Sequence, residues 1–355
     1  MYQVIRKKIF NRFREFETKI HELNYLFWEC TVRCNLNCLH CGSDCSTDNA
    51  HADMPLSDFL SAVDTIESKP DNLIIALTGG EPLLRDDIEI CGREIRKRGM
   101  RWGIVTNGYL YDRERHISLL NAGLGAVTIS LDGLEENHNW LRNTKQGFSK
   151  VGDSISLAAS SSRLNFDVVT CVNSRNIYEL QNVYDYLINR GVKAWRLFTI
   201  LPVGRAKTNP DMLLSDLQFR EMLDFIHRKR DLKAMDVKFS CEGYTGRYEL
   251  MVRDSFFFCR AGINIGSILI DGSISACPNI DRSFVQGNIY RDNFFEIWQT
   301  KFMPFRKRDW TRRGQCEKCA DYSYCLGNGL HNWHEKKENV LVCHNEMIKR
   351  AFSGK

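Results

Sequence analysis

The sequence predicts an α/β protein in which parallel strands joined by helical crossovers are followed by a smaller cysteine-rich unit. Three observations carry this. Between Tyr25 and Leu201, short apolar or β-branched runs alternate with helical patterns, and that alternation means parallel strands with crossovers. After Leu201 the alternation stops. Nine of the 14 cysteines also fall in two groups: Cys34, Cys38 and Cys41 near the start, then Cys259, Cys277, Cys316, Cys319, Cys325 and Cys343 near the end.

Taken in order, Tyr2 to Leu23 places Ile5, Ile9, Phe13, Phe16, Ile20 and Leu23 at steps of four and three, an apolar helical stripe. The rest of its surface carries Arg6, Lys7, Lys8, Arg12, Arg14 and Lys19. The expectation is a helix packed on the body through its stripe with a solvated basic face; a membrane-surface helix is the alternative. Strands are expected at Tyr25–Glu29, Leu73–Leu77, Trp102–Thr106, Val127–Leu131, Phe166–Val172 and Trp195–Ile200, with helices such as Ser57–Ser68, Asp86–Arg98, Arg113–Ala122 and Ile177–Arg190 between them. Lys69-Pro70-Asp71-Asn72, Arg98-Gly99 and Arg190-Gly191 read as turns. Six such units build a doubly wound sheet or an incomplete barrel, and in both, ligands sit beyond the carboxyl ends of the strands. Pro202-Val203-Gly204-Arg205 and Thr208-Asn209-Pro210 read as loop, Asp216 to Arg228 as helix. The expected units are 1–24, 25–234 and 235–355.

Composition narrows the function. The 355 residues suffice for about two domains at roughly 150 residues each. With 43% hydrophobic and 26% charged residues, the chain is not a disordered one. A formal net charge of +5 is too slight to argue for a nucleic-acid partner. No apolar run approaches the ~18 residues of a membrane span, and Met1–Lys8 is charged with no signal-type core behind it, so a cytoplasmic protein is expected. In a reducing compartment, clustered cysteines more often bind metal or do chemistry than form disulfides. Cys30, Cys45, Cys91, Cys171 and Cys241 lack ligand-like spacing and are expected as small core residues.

Cys34-Asn-Leu-Asn-Cys38-Leu-His-Cys41 follows directly on the first strand. Zinc sites normally close with four protein ligands, whereas a cubane iron–sulfur cluster can take three thiolates and leave its fourth iron open. The CxxxCxxC spacing with His40 before the last cysteine resembles the signature of the radical S-adenosylmethionine (radical SAM) enzymes. The resemblance implies a partial (β/α)6 barrel whose open iron chelates the methionine part of SAM. One electron then cleaves the sulfonium, and a 5′-deoxyadenosyl radical abstracts a substrate hydrogen. Thr78-Gly79-Gly80-Glu81-Pro82 at the end of the second strand resembles the family's GGEP motif. Paired glycines let backbone approach a ligand, and Glu81 can accept hydrogen bonds from an ammonium. Asn107 ends the third strand, and Ser130-Leu131-Asp132-Gly133 ends the fourth, with Arg142 after it. The resemblance makes Ser130 and Arg142 candidates for SAM's ribose and carboxylate, the guanidinium suiting a carboxylate because it bonds bidentately.

Cys259 and Cys277 bracket Gly272, and Cys316-Glu-Lys-Cys319 leads to Cys325 and Cys343. This arrangement resembles the SPASM extension of radical SAM enzymes that modify peptides and proteins. The resemblance implies an auxiliary 4Fe–4S cluster on Cys316, Cys319, Cys325 and Cys343. For a second cluster the family has a cysteine where this chain has Gly329, leaving Cys259 and Cys277, with Cys241, His331 or His334 as substitutes. A closed zinc knot is the competing reading of these cysteines. Sulfatase-maturing relatives carry an aspartate after the residue matching Cys277; here it is Pro278, which cannot accept a proton. The Gly327–His331 stretch resembles a lipoprotein-associated SPASM subgroup.

The function so implied is hydrogen abstraction from a peptide or protein substrate, with a low-potential donor such as flavodoxin or ferredoxin. The segment before Cys34 is short, so no separate leader-peptide-binding domain is expected there. A small-molecule or cofactor-precursor substrate is the enzymatic alternative, and a zinc-stapled binding module the non-enzymatic one.

Overall fold

A computed structural model of the protein describes residues 2–49, 51–67, 73–334 and 338–353. The turn expected at Lys69-Pro70-Asp71-Asn72 lies outside the described residues. Helix α1 (Tyr2–Ile20) precedes β1 (Tyr25–Thr31), α2 (Leu56–Asp64), β2 (Ile74–Gly79), α3 (Ile88–Lys97), β3 (Arg101–Thr106) and α4 (Arg113–Asn121). Then come β4 (Ala126–Ser130), α5 (Glu135–Arg142), α6 (Gly147–Ser160), β5 (Asn165–Val172), α7 (Leu180–Asn189), β6 (Ala194–Thr199) and α8 (Asp216–Leu232). The remainder holds β7 (Asp236–Phe239), β8 (Ile265–Ile268), β9 (Ser273–Ser275), β10 (Gly287–Asn288), α9 (Phe294–Thr300), α10 (Met303–Arg306), α11 (Tyr322–Cys325) and α12 (His344–Ser353).

All six expected strands are present, and the alternation closes into a partial barrel. The sheet order is β10-β9-β8-β1-β2-β3-β4-β5-β6-β7. Strands β1 to β7 pair in parallel with their neighbours in chain order, so their carboxyl ends share one rim. In β4, β5 and β6 one face is buried and apolar, with Val127, Ile129, Val168, Trp195 and Leu197, while on the other Thr128, Asp167 and Arg196 bond one another. Trp28 of β1 stacks on Phe59 of α2 with ring centroids 4.1 Å apart. Trp102 of β3 lies so close to α3 that a Cβ on Gly92 would stand 2.2 Å from its ring.

The sheet runs on past residue 234. Strand β7 pairs with β6, and β8 pairs in parallel with β1, so that Trp28 lies between Leu77 and Ile268. The antiparallel β8–β9–β10 ribbon thus extends the barrel sheet at its β1 edge. The four-residue β7, with Asp236 and Lys238 interleaved between Val237 and Phe239, is too short and too polar for periodicity to reveal.

The helix at the start departs from expectation. Its apolar stripe faces outward: Ile5 is 50% exposed, Ile9 63%, Phe13 41%, Phe16 60% and Ile20 50%. The opposite face meets the body. Buried Arg14 donates from Nη1 and Nη2 to the carbonyls of Tyr324 and Ser323, each at 2.8 Å. Phe10 packs against Phe256 (centroids 5.4 Å), Lys7 lies over the Tyr324 ring, and Glu17 pairs with Arg260 at 3.0 Å. Carbonyl acceptors and aromatic rings on the body, which periodicity cannot see, select the face of Lys7, Phe10, Arg14 and Glu17 for docking, while Arg6, Lys8, Arg12 and Lys19 stay exposed.

Candidate active site at the barrel rim

The loop carrying Cys34, Cys38 and Cys41 leaves β1 at the rim and is held from three sides. Cys34 N donates to Ser46 O at 3.1 Å, and Leu39 N to Leu141 O at 2.9 Å. Arg205, in the segment read as loop, clamps it: its backbone N donates to Cys41 O (3.0 Å), Nε to Cys38 O (2.7 Å) and Nη1 to Cys45 O (3.0 Å). Gly204 permits this approach, since a Cβ there would stand 2.3 Å from Cys41 O.

The paired glycines after β2 also serve the cysteine loop. Gly80 N donates to Thr31 O at 2.8 Å and Glu81 N to Arg33 O at 2.9 Å. A Cβ on Gly79 would meet Thr31 O at 2.0 Å, and one on Gly80 would meet Arg33 O at 2.0 Å. Glu81 is wholly buried and fully engaged. Its Oε1 accepts from Leu83 N (3.1 Å) and Thr106 Oγ1 (2.8 Å), and its Oε2 from Asn107 N (2.8 Å). Burial pushes its carboxyl up, against those donors. In this arrangement Glu81 ties the β2 end to the β3 end.

Asn107 continues the chain of contacts, donating from Nδ2 to Asn35 Oδ1 at 2.8 Å with Cys34 Sγ 3.9 Å away. Ser130 ends β4 and is buried. Arg142, also buried, donates from Nε to Asp132 Oδ2 at 2.5 Å, and its Nη1 lies 3.8 Å from Cys38 Sγ. Burial pushes Asp132 up, but Arg142 holds its carboxyl below the usual range. Asp132 Oδ1 also accepts from Cys171 N at 2.8 Å. The ligand atoms of His40, Asp132 and Cys171 lie within 4.8 Å of one another. His40 Nδ1 is buried without a partner, and burial lowers the ring to about 4, so it is neutral.

The thiols divide by environment. Burial pushes Cys34 up to about 11 and raises Cys38 despite Arg142. Cys41 is lowered to about 5, first by a hydrogen bond from the Cys45 thiol, and Cys45 itself is buried in the core, as expected. Cys30 and Cys91 are fully buried, as expected. Cys171 is partly buried and packs against a small apolar cluster of Leu141, Ile200 and Met212, whereas Cys241, exposed on the loop after β7, is not a core residue.

In the C-terminal unit, Cys316, Cys319, Cys325 and Cys343 line one pocket of about 20 Å3. Asn328 N donates to Cys325 Sγ at 3.1 Å. Cys343 immediately precedes α12, and burial pushes its thiol up. Cys259, Cys277 and Cys241 lie within electrostatic reach of one another, and burial pushes Cys277 up to about 12. A Cβ on Gly329 would meet the His331 ring and the Glu242 carbonyl, each at 2.5 Å, so the histidine ring fills the space a side chain at 329 would take. His334 lies instead 3.4 Å from Asp281.

Donor chemistry discriminates between metals. Tetrahedral zinc with bonds of ~2.3 Å draws its sulfurs to about 3.8 Å of one another. Among the described residues, no three cysteine sulfurs lie within 4.8 Å of each other. N–H groups directed at the sulfurs, Asn328 N at Cys325 and Asn107 Nδ2 near Cys34, suit the thiolates of an iron–sulfur cluster.

The family comparisons agree with the donor set. The pattern described as the Radical SAM superfamily matches residues 28–187, and the SPASM iron-sulfur cluster-binding domain matches residues 259–320. The chain belongs to the radical SAM superfamily. It is a radical SAM enzyme with a SPASM domain, and its cofactors are a SAM-binding 4Fe–4S cluster, SAM itself and at least one auxiliary cluster. The chain is 25% identical to the AdoMet-dependent heme synthase of Oleidesulfovibrio alaskensis over 84% of its length and 81% of the relative's. It is also 25% identical to the mycofactocin maturase of Mycolicibacterium smegmatis, over 88% and 79%. In fold it resembles the solved structure of native anSMEcpe with bound AdoMet and Cp18Cys peptide, with a TM-score of 0.72 at 21% identity, covering 94% and 96% of the two chains.

The radical SAM barrel brings the motif residues to one rim, together with Arg205 and Cys171, to which the sequence assigns no site role, and Glu242, which sequence reasoning passed over. Glu242 follows β7 and accepts from Thr199 N (2.7 Å) and Oγ1 (2.9 Å) at the end of β6. Burial pushes its carboxyl up to about 8. The spacing of Cys241-Glu242 gives no motif; only the position of β7 reveals them. No helix among the described residues is long and apolar enough to cross a membrane.

Proposed function

We propose that Cys34, Cys38 and Cys41 hold the SAM-binding cluster and that the enzyme abstracts hydrogen from a peptide or protein substrate. The observation that supports this most is the linkage of successive strand ends to one loop: Glu81 joins β2 to β3, Asn107 joins β3 to Cys34, and Arg142 joins the segment after β4 to Cys38. When bound, the cluster and SAM supply a one-electron reductive cleavage that yields a 5′-deoxyadenosyl radical. The protein's own residues position and shield. Gly79 and Gly80 hold backbone against the cysteine loop, and His40 stays neutral beside it. Ser130 and Arg142 take SAM's ribose and carboxylate, with Asp132 fixing the guanidinium in place. Asn107 sets the loop's orientation.

In the C-terminal unit, Cys316, Cys319, Cys325 and Cys343 hold one auxiliary cluster. Cys259 and Cys277, joined by Cys241, form a second site with three thiolates, for which His331 is the candidate fourth donor. Flavodoxin or ferredoxin in the cytosol supplies electrons. A small-molecule substrate is the second reading, favoured by similarity to a heme synthase across most of the chain. Mass spectrometry of peptides encoded by neighbouring genes, co-expressed with the enzyme, decides between them. A mass change in one peptide supports the first reading. Unchanged peptides, together with turnover of an iron-porphyrin precursor, support the second.

A further inference from the structure

Helix α1 turns a mostly polar face to the body and its apolar stripe to solvent, the reverse of what burial alone dictates. The inward positions are Lys7, Phe10, Asn11, Arg14, Glu17 and Thr18, all partly or fully buried. They recur at the helical repeat, so the orientation is a property of the whole element. On the outer side Ile5, Ile9, Phe13, Phe16 and Ile20 form a ridge. From Ile5 to Ile20 it rises through fifteen steps, roughly 22 Å at 1.5 Å per residue. Five large apolar side chains in one exposed row exceed the scattered exposure of an ordinary surface and mark a contact site.

The borders of the ridge say what it meets. At 100° per residue, Lys8, Arg12 and Lys19 flank it on one side and Arg6 on the other, all exposed. Glu15 is the exposed carboxylate of the helix, further round from the ridge, while Glu17 is turned inward onto Arg260. A convex apolar ridge bordered by a row of three cations, with Arg6 on its far side, is the form that lies in an anionic lipid interface. The apolar side chains enter the acyl boundary while lysine and arginine stems reach up to phosphates.

We propose that α1 docks the enzyme on the surface of an anionic bilayer. The inward contacts serve this use. Arg14 grips the carbonyls of Ser323 and Tyr324, immediately before Cys325, so the docking element is fastened to the SPASM domain rather than carried on a tether. Docking therefore sets which side of the enzyme faces the membrane.

The test is co-sedimentation of the full-length, cluster-loaded enzyme with vesicles of phosphatidylcholine alone or with a third of phosphatidylglycerol. The expected result is binding to the anionic vesicles at least tenfold tighter than to neutral ones and weakened by salt. It should fall at least tenfold in Ile9→Ser/Phe16→Ser and in Lys8→Glu/Arg12→Glu. Both variants should still form 5′-deoxyadenosine from SAM at the wild-type rate, which separates this proposal from the active-site assignment. Absence of binding to anionic vesicles overturns it, as does binding that the Ile9→Ser/Phe16→Ser variant leaves unchanged. Dimerisation of the wild type in sedimentation velocity, abolished by that variant without a vesicle effect, assigns the ridge to a second copy and equally overturns it.

Discussion

The guanidinium of Arg142 stands 3.8 Å from the sulfur of Cys38, 104 residues earlier in the chain, while its Nε is held by Asp132 at 2.5 Å. The positive charge is therefore fixed beside the cysteine loop before any ligand arrives. A preorganised cation costs little reorganisation when an anionic group binds.

Arg142→Met should lower 5′-deoxyadenosine formation at least about tenfold, equivalent to ~1.4 kcal/mol. It should also destabilise the fold by about 3 kcal/mol, because Asp132 is left buried and unpaired. Arg142→Lys should recover stability more than rate, since an ammonium keeps the charge but loses the planar fork. Measured SAM affinity and urea midpoints separate the two effects; equal recovery of both would contradict this role.

Glu81→Gln tests the brace between strand ends. An amide cannot accept at both terminal atoms, so at least one of the donors from Leu83, Thr106 and Asn107 is left unmet in a buried place. The expected loss is about 2 kcal/mol of stability in urea titration. A midpoint equal to wild type would show that the carboxylate carries no structural load.

Glu242 makes stability depend on pH. Its carboxyl is raised from 4.5 to about 8 by burial, so the folded protein keeps a proton that the unfolded chain has released. The stability this confers is whole below the unfolded value and is lost as pH climbs toward the folded one. Between about pH 6 and about pH 8 the wild type should lose ~2 kcal/mol that Glu242→Gln does not lose. Parallel urea curves for the two proteins across that range would refute the assignment.

Cys241→Ala should remove about four irons per chain if that thiol completes a site with Cys259 and Cys277. Cys91→Ala, which alters a fully buried core thiol, should remove none. Iron and sulfide analysis after anaerobic reconstitution gives the answer, and an unchanged iron count for Cys241→Ala would leave Cys259 and Cys277 without their partner.

The barrel was legible because short apolar or β-branched runs alternate with helical patterns, even where Asp167 and Arg196 interrupt β5 and β6. The rim motifs were legible because their chemistry is local: Gly79-Gly80 and the cysteine spacing are both set by backbone close to a ligand loop. Three things were not. The orientation of α1 depends on acceptors at Ser323 and Tyr324, some three hundred residues away. The clamp by Arg205 and the neighbourhood of Cys241 depend on which strand ends adjoin which. Asp132 looks in sequence like part of a turn, and only its contacts with Arg142 and Cys171 reveal its place in the site.

The central claim is that Cys34, Cys38 and Cys41 hold the cluster that receives SAM. Its most direct test is electron paramagnetic resonance of the reduced enzyme with and without SAM, beside the variant Cys34→Ala/Cys38→Ala/Cys41→Ala. Addition of SAM should change the wild-type spectrum, whereas the variant should keep its auxiliary signal, show no response to SAM and form no 5′-deoxyadenosine. A variant that still responds to SAM and still forms 5′-deoxyadenosine would contradict the claim.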